Sequence, residues 1–274
     1  MDRFDWVEVE PPADRRPKPV SDTPSAYELG KQKRASGDFA GAAEDFQRAV
    51  GADDHNYAAW VLRVDSLVRA GHLVEADTVS ADALQNYGQV RPFYAARALV
   101  LAHQNRIDAA YRNSDISLDD GKRYWYARCV RGEVLLKDGV ENRFEALRHF
   151  EESIGFAQAP WHPCFLAGWS LLQAGLSTLA APHFADAAHH NPLAAAPWLF
   201  LGDCFHELRL YDQAMFYYRR VVELEPKHPL VLDRQRACSP KTFGLMDLFQ
   251  KDLLHDRWRE AMLRALDRPN PDDL

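Results

Sequence analysis

Eleven histidines and four cysteines are the first places to look for chemistry in this chain of 274 residues. His183 and His190 lie seven positions apart, so on a helix they share a face, and with His189 they could offer imidazoles to a zinc-type ion. Such a site needs further ligands, yet no carboxylate or thiol stands at a helpful spacing and HExxH is absent. The three imidazoles are therefore expected on a solvated helix face, with no metal bound. Cys129, Cys164, Cys204 and Cys238 are far apart with no CxxC pair, which predicts packed thiols rather than a disulfide framework. No GxxxxGK[ST], no GxGxxG after a strand and no GxSxG occurs, so the usual phosphate cradles and the familiar serine nucleophile are missing. No catalytic residue and no cofactor is expected, and the chain is expected not to be an enzyme. The rival view, an enzyme or an enzyme-associated regulatory domain, would need His103, Glu133, Asp203 and His206 to converge in one pocket with perturbed pKa values.

His206-Glu207 looks like an acid beside a base until the surrounding pattern is seen. Ala42, Ala76, Ala110, Ala146, Ala180 and Ala214 follow one another at 34 residues, save 36 between Ala110 and Ala146. Four residues after each comes Phe46, Ser80, Ser114, Phe150, Phe184 or Tyr218, and three further on Ala49, Ala83, Ser117, Ser153, Ala187 or Val221. A second column ahead of each alanine holds Gly30, Val64, Ala98, Gly132, Gly168 and Gly202. Spacings of three, four and seven place these residues on one face of a helix. Each unit thus predicts two helices, a small residue on the first letting the second approach closely and a ring one turn past the alanine filling the gap. Short turns such as SGDF, AGHL and QAGL separate them, glycine supplying the positive φ that ends a helix. In the fourth unit the stretch KDGVENRF is two residues longer, an insertion a surface turn absorbs.

These columns resemble the tetratricopeptide repeat, whose WxxLG, alanine, aromatic and proline signature is matched by Trp198, Leu201, Gly202, Ala214, Tyr218 and Pro226. The fifth unit matches with Ala167, Gly168, Ala180, Phe184, Ala187 and Pro192, and the first with Leu29, Gly30, Gly37, Asp38, Phe39, Ala42, Phe46 and Ala49. Arg63 and Val64 in place of the LG pair, and Ser80 and Ser114 in place of the aromatic, are departures in the middle units. The resemblance implies an all-α, right-handed α-solenoid of stacked antiparallel helix pairs, with units at 23–56, 57–90, 91–124, 125–160, 161–194 and 195–228.

In this family the first helices line a concave surface that grips partner segments. The corresponding partner-binding positions are Tyr27 and Lys31, then Val61, Leu62, Asp65 and Arg69, then Ala95, Leu99 and His103, with Val130 and Glu133 from the fourth unit. Phe165, Leu166 and Trp169 follow, then Leu199, Phe200, Asp203 and His206. The lysine and asparagine clamp with which co-chaperones of the family hold a carboxylate tail is missing, because Tyr27, Lys31 and Leu62 stand there. Apolar groups run through the middle, so the predicted ligand is an apolar or amphipathic segment of another protein, and Val61→Glu or Phe165→Glu is expected to abolish binding with helicity intact.

Residues 1–22 form a proline-rich, charge-mixed tail with an apolar island at Phe4, Trp6 and Val7, expected to be disordered or to act as a linear docking motif. Residues 229–274 are expected to cap the last unit with a helix whose stripe includes Met246, Phe249, Leu253, Leu254, Trp258, Ala261, Met262 and Ala265. The formal net charge of -7 argues against nucleic acid as the partner. No signal peptide or membrane-spanning run is evident, so no membrane insertion and a cytoplasmic setting are expected. The sequence therefore predicts a non-enzymatic scaffold or adaptor. Its alternative is a secretion- or assembly-chaperone-like scaffold, or one that self-associates through Phe4 and Trp6.

Overall fold

The computed structural model describes residues 24–119 and 124–238, so the N-terminal tail and the expected capping helix lie outside the described residues. All regular elements within them are helical, with no strand. The chain divides into two compact units, residues 1–163 and 164–274. The first holds α1 (Ala26–Ser36), α2 (Phe39–Ala52), α3 (Tyr57–Arg69), α4 (Leu73–Tyr87), α5 (Arg91–His103), α6 (Ile107–Leu118), α7 (Trp125–Asp138) and α8 (Arg143–Phe156). Helix α9 (Trp161–Gln173) begins in the first unit and continues into the second, which adds α10 (Ser177–His190), α11 (Ala195–Glu207), α12 (Tyr211–Leu224) and α13 (Val231–Cys238).

One turn recurs between the paired helices. After α1, α3, α5, α9 and α11 a single residue adopts a left-handed conformation: Gly37, Gly71, Asn105, Gly175 and Arg209, with φ from 59° to 90°. The next amide then donates back to the carbonyl five residues earlier, as in Asp38 N to Lys33 O at 2.9 Å and Leu210 N to Phe205 O at 2.9 Å. This closure satisfies a carbonyl the helix end would otherwise leave orphaned and reverses the chain in about two residues. The fourth pair differs. Its connection, two residues longer, contains a three-residue 3-10 turn over Val140–Asn142 between α7 and α8.

Packing within each pair follows the repeating columns. Ala42, Ala76, Ala110, Ala146, Ala180 and Ala214 are all fully buried, as a contact without room for a larger side chain requires. Gly30 faces Phe46 so closely that a Cβ would stand 2.7 Å from the ring, and Gly202 faces Tyr218 in the same way. Phe150 lies over Gly132 and Phe184 over Gly168. In the second and third pairs bulk passes to the other partner: Val64 and Ala98 replace the glycine, while buried Ser80 and Ser114 replace the ring. Along the first unit α3 also packs on α5 and α5 on α7, so the odd-numbered helices form an inner layer and the even-numbered ones an outer layer.

Candidate functional site

The inner layer of the first unit carries a charged cluster built from helices distant in sequence. Arg34 of α1 reaches Asp65 of α3 at 2.5 Å and donates to Ser66 Oγ at 3.1 Å. Arg69, one turn on from Asp65, donates to both its oxygens at 3.1 and 3.0 Å. It also reaches Glu133 of α7 at 3.1 Å, and Tyr126 of α7 donates to Asp65 at 3.3 Å. His103, at the end of α5, pairs through Nε2 with Glu133 Oε1 at 2.7 Å. Side chains of α3 and α7 meet although α5 lies between them in the stack, so the inner layer of this unit curves toward the cluster.

Asp65 is fully buried and Arg34, Arg69, Tyr126 and Glu133 nearly so. Burial alone would raise the Asp65 carboxyl, but the Arg69 and Arg34 guanidiniums beside it hold it below its ordinary value. Burial, with Asp65 adding to it, pushes the Tyr126 phenol well up. At the start of α9, the His162 ring lies 3.7 Å from Trp161, tilted by 35°, and 6.2 Å from Trp125. Burial, helped by the nearby Arg34 and Lys31 charges, pushes its imidazole down to about 3. Near the edge of this face the Lys31 ammonium sits over the Tyr27 ring at 5.3 Å.

Most of the positions expected to line an open wall are enclosed. Val61, Leu62, Ala95, Leu99 and Val130 are buried among the helices, whereas Tyr27, Lys31 and His103 stay partly accessible. In the second unit Phe165, Leu166, Trp169, Leu199 and Phe200 are buried as well. Trp169 meets Phe200 edge-on at 4.8 Å, Phe184 stacks on Phe200 at 5.8 Å, and Phe165 lies 5.6 Å from Phe184, so these rings act as packing between helices. Asp203 accepts from Tyr218 at 2.7 Å and from Arg234 of α13 at 2.6 Å. His206 rests 5.4 Å from the Tyr211 ring. Glutamate at Val61 or Phe165 would bury a charge in a core, so those substitutions test folding rather than binding.

Of the four groups an enzyme would have to bring together, only His103 and Glu133 meet within one unit, and they meet inside an ion-pair cluster. Sequence spacing marked Asp65, Arg69, His103 and Glu133 as surface positions but did not point to Tyr126, Trp161 and His162 as their neighbours. The four cysteines are buried and form no disulfide. Burial pushes the Cys164 thiol up to about 12 and those of Cys204 and Cys238 in the same direction, which makes them poor nucleophiles. His189 and His190 are exposed, with rings 5.6 Å apart, while burial lowers His183. The one metal-compatible trio among the described residues is Asp53, Asp54 and His55, in which the exposed His55 already pairs with the exposed Asp54 at 2.6 Å. On the outer side a cleft of about 580 Å³ lies between α3 and α4, beside Trp60, Arg63, His72 and Val74.

The family described as "Tetratricopeptide repeat" matches residues 27–89 and 165–229. No curated protein matches the sequence. Among solved structures the chain is similar to YrrB, described as a TPR protein with an unusual peptide-binding site, at 18% identity over 71% of this chain and 99% of that one, with a TM-score of 0.42. It is similar also to Pseudomonas aeruginosa PilF, at 16% identity over 76% and 98% of the two chains with a TM-score of 0.44. A third, the TPR protein TTC0263 from Thermus thermophilus, is 15% identical over 78% and 96%, with a TM-score of 0.45.

Proposed function

Because the chain is a tetratricopeptide-repeat protein, we propose that it serves as an interaction scaffold whose inner face in the first unit takes an amphipathic segment of another protein. The observation that carries this is the collection of charges and rings on the inner layer. Tyr27, Lys31 and His103 remain partly accessible beside the Arg34, Asp65, Arg69 and Glu133 cluster. Packing the helices together does not call for charges there, since a buried ion pair is often no more stabilising than apolar residues of the same volume. The partly accessible Tyr27 ring, Lys31 ammonium and His103 imidazole instead fit a ligand offering both apolar and charged groups. With Val61, Leu62, Ala95, Leu99 and Val130 packed inside, a purely apolar segment finds little to cover, and an amphipathic one suits the face better.

No described helix is long and apolar enough to cross a membrane. A cytoplasmic setting belongs with the proposal, supported by four cysteines that form no disulfide. The test is fluorescence anisotropy with dye-labelled apolar, acidic and amphipathic peptides against the full chain. Tyr27→Ala with Lys31→Glu should weaken the amphipathic binders about tenfold or more, equivalent to about 1.4 kcal/mol. The outer-face pair Val74→Ser and Phe144→Ala, at residues 85% and 70% exposed, should leave affinity within about twofold. The opposite ranking would move the site to the outer layer and overturn the proposal.

A further inference from the structure

We infer that the outer cleft between α3 and α4 is a second binding site, which takes a lysine or arginine side chain from a segment of a partner protein. Trp60 and Arg63 of α3 line one wall, and Val74, Thr78, Val79 and Asp82 of α4 the other. Positions 75, 78, 79 and 82 recur at spacings of three and four, so they share the face of α4 that borders the cleft. The volume of about 580 Å³ lies well inside the roughly 300–1,000 Å³ of ligand clefts. Val74, at 85% exposure, is an apolar lining residue left for a ligand to cover.

Charge selects the occupant. Arg63 reaches Glu75 at 2.9 Å, so these two cancel, and with only 13% of the Arg63 side chain exposed an incoming anion finds no open guanidinium. Asp82 is exposed and has no ion-pair or hydrogen-bond partner among the described residues. A neutral ligand would strip water from that carboxylate without replacing it, which is unfavourable. Trp60 supplies the aromatic surface. Its indole N–H donates to the Asp54 carbonyl at 2.9 Å, and its ring packs against the buried cluster of Phe46, Ala49, Val50 and Leu62. The ring is thus fixed before a ligand arrives, and little ordering is left to be done on binding. A basic side chain matches both ends of this lining: its apolar stem covers Val74, while its charged head meets the Trp60 ring and Asp82. The formal net charge of -7 draws such a segment toward the chain.

The experiment measures the anisotropy of a dye-labelled basic peptide, GLKVKG, and of its neutral and acidic counterparts, GLQVQG and GLEVEG, with the full chain. Wild type should bind GLKVKG about fivefold more tightly than GLQVQG. Asp82→Asn, at an exposed position, should erase most of that preference. Trp60→Leu should weaken GLKVKG about threefold to fivefold, with far-ultraviolet circular dichroism confirming the fold. Asp212→Asn removes the same charge from an exposed position on α12 and should leave affinity within about twofold. Equal binding of GLKVKG and GLQVQG, tighter binding of GLEVEG, or equal losses in Asp82→Asn and Asp212→Asn would overturn the inference. The Tyr27→Ala with Lys31→Glu chain separates the two sites, and it should keep its affinity for GLKVKG. A change there of more than about twofold would place the basic peptide on the inner face, overturning the cleft site while the scaffold proposal stands.

Discussion

Replacing Asp65 with alanine removes the one carboxylate shared by Arg34, Arg69 and Tyr126. Four short contacts disappear, at 2.5, 3.0, 3.1 and 3.3 Å, from a side chain with no solvent exposure. Arg34 keeps Ser66 and Arg69 keeps Glu133, so neither guanidinium is abandoned, yet both remain charged in a nearly dry site. Breaking a buried pair from one side costs about 3–5 kcal/mol, a large fraction of the roughly 5–15 kcal/mol that holds a domain folded. For a unit of this size about 1 kcal/mol moves the midpoint by about 2–4 °C, so Tm should fall by about 6–20 °C. Urea unfolding followed by far-ultraviolet circular dichroism, with calorimetry for the midpoint, measures both. Asp233→Ala is the control, because Asp233 pairs with Arg236 at 3.0 Å while both side chains are more than three-quarters exposed. It should cost less than about 0.5 kcal/mol. An Asp65→Ala loss under about 1 kcal/mol would refute the reasoning, since the cluster would then be solvated.

Burial holds His149 at about 4 and His162 at about 3, so the unfolded chain takes up protons near pH 6.5 that the folded chain refuses. Stability should be full above pH 6.5 and fall as pH drops toward 4, by about 1–2 kcal/mol per histidine at pH 5, and His149→Gln should flatten that slope in a pH series of urea midpoints. Gly132→Ala should destabilise by about 1–2 kcal/mol because its Cβ would run into Phe150, whereas Gly51→Ala, in open space on α2, should stabilise by about 0.5–1 kcal/mol in the same titration. Arg209 holds a left-handed conformation at φ 59°, so Arg209→Gly should raise stability by about 0.5–1 kcal/mol.

The helix pairs were legible because the signal is local. A fully buried alanine, a glycine twelve or fourteen residues before it and a ring four after it must all sit on touching faces, and a period near 34 repeats that requirement. Positive φ at Asn105 and Arg209 was hidden because neither residue is glycine, though their place in the period coincides with Gly37, Gly71 and Gly175. The inner face was legible only in part. Register shows that Asp65, His103 and Glu133 share a side of their helices, but not how tightly the layer curves, and that curvature decides whether the side chains meet water or one another. Tyr126 reaches Asp65 across 61 residues and Arg69 reaches Glu133 across 64, contacts no spacing rule anticipates. One clue was present: Asp65 and Arg69 stand beside Val61, Leu62, Leu67 and Val68 on α3, which asks for partners of opposite charge nearby. Arg234, which completes the Asp203 pair, lies beyond the last repeated unit, where the period offers no guide.

Hydrogen–deuterium exchange of the full chain, with and without its best-binding amphipathic peptide, tests the central claim most directly. Slowed exchange in α1, α3, α5 and α7 around Tyr27, Lys31 and His103, with α2, α4, α6 and α8 unchanged, is the predicted result. Protection confined to the outer helices, or to the cleft between α3 and α4 beside Trp60 and Val74, would contradict it.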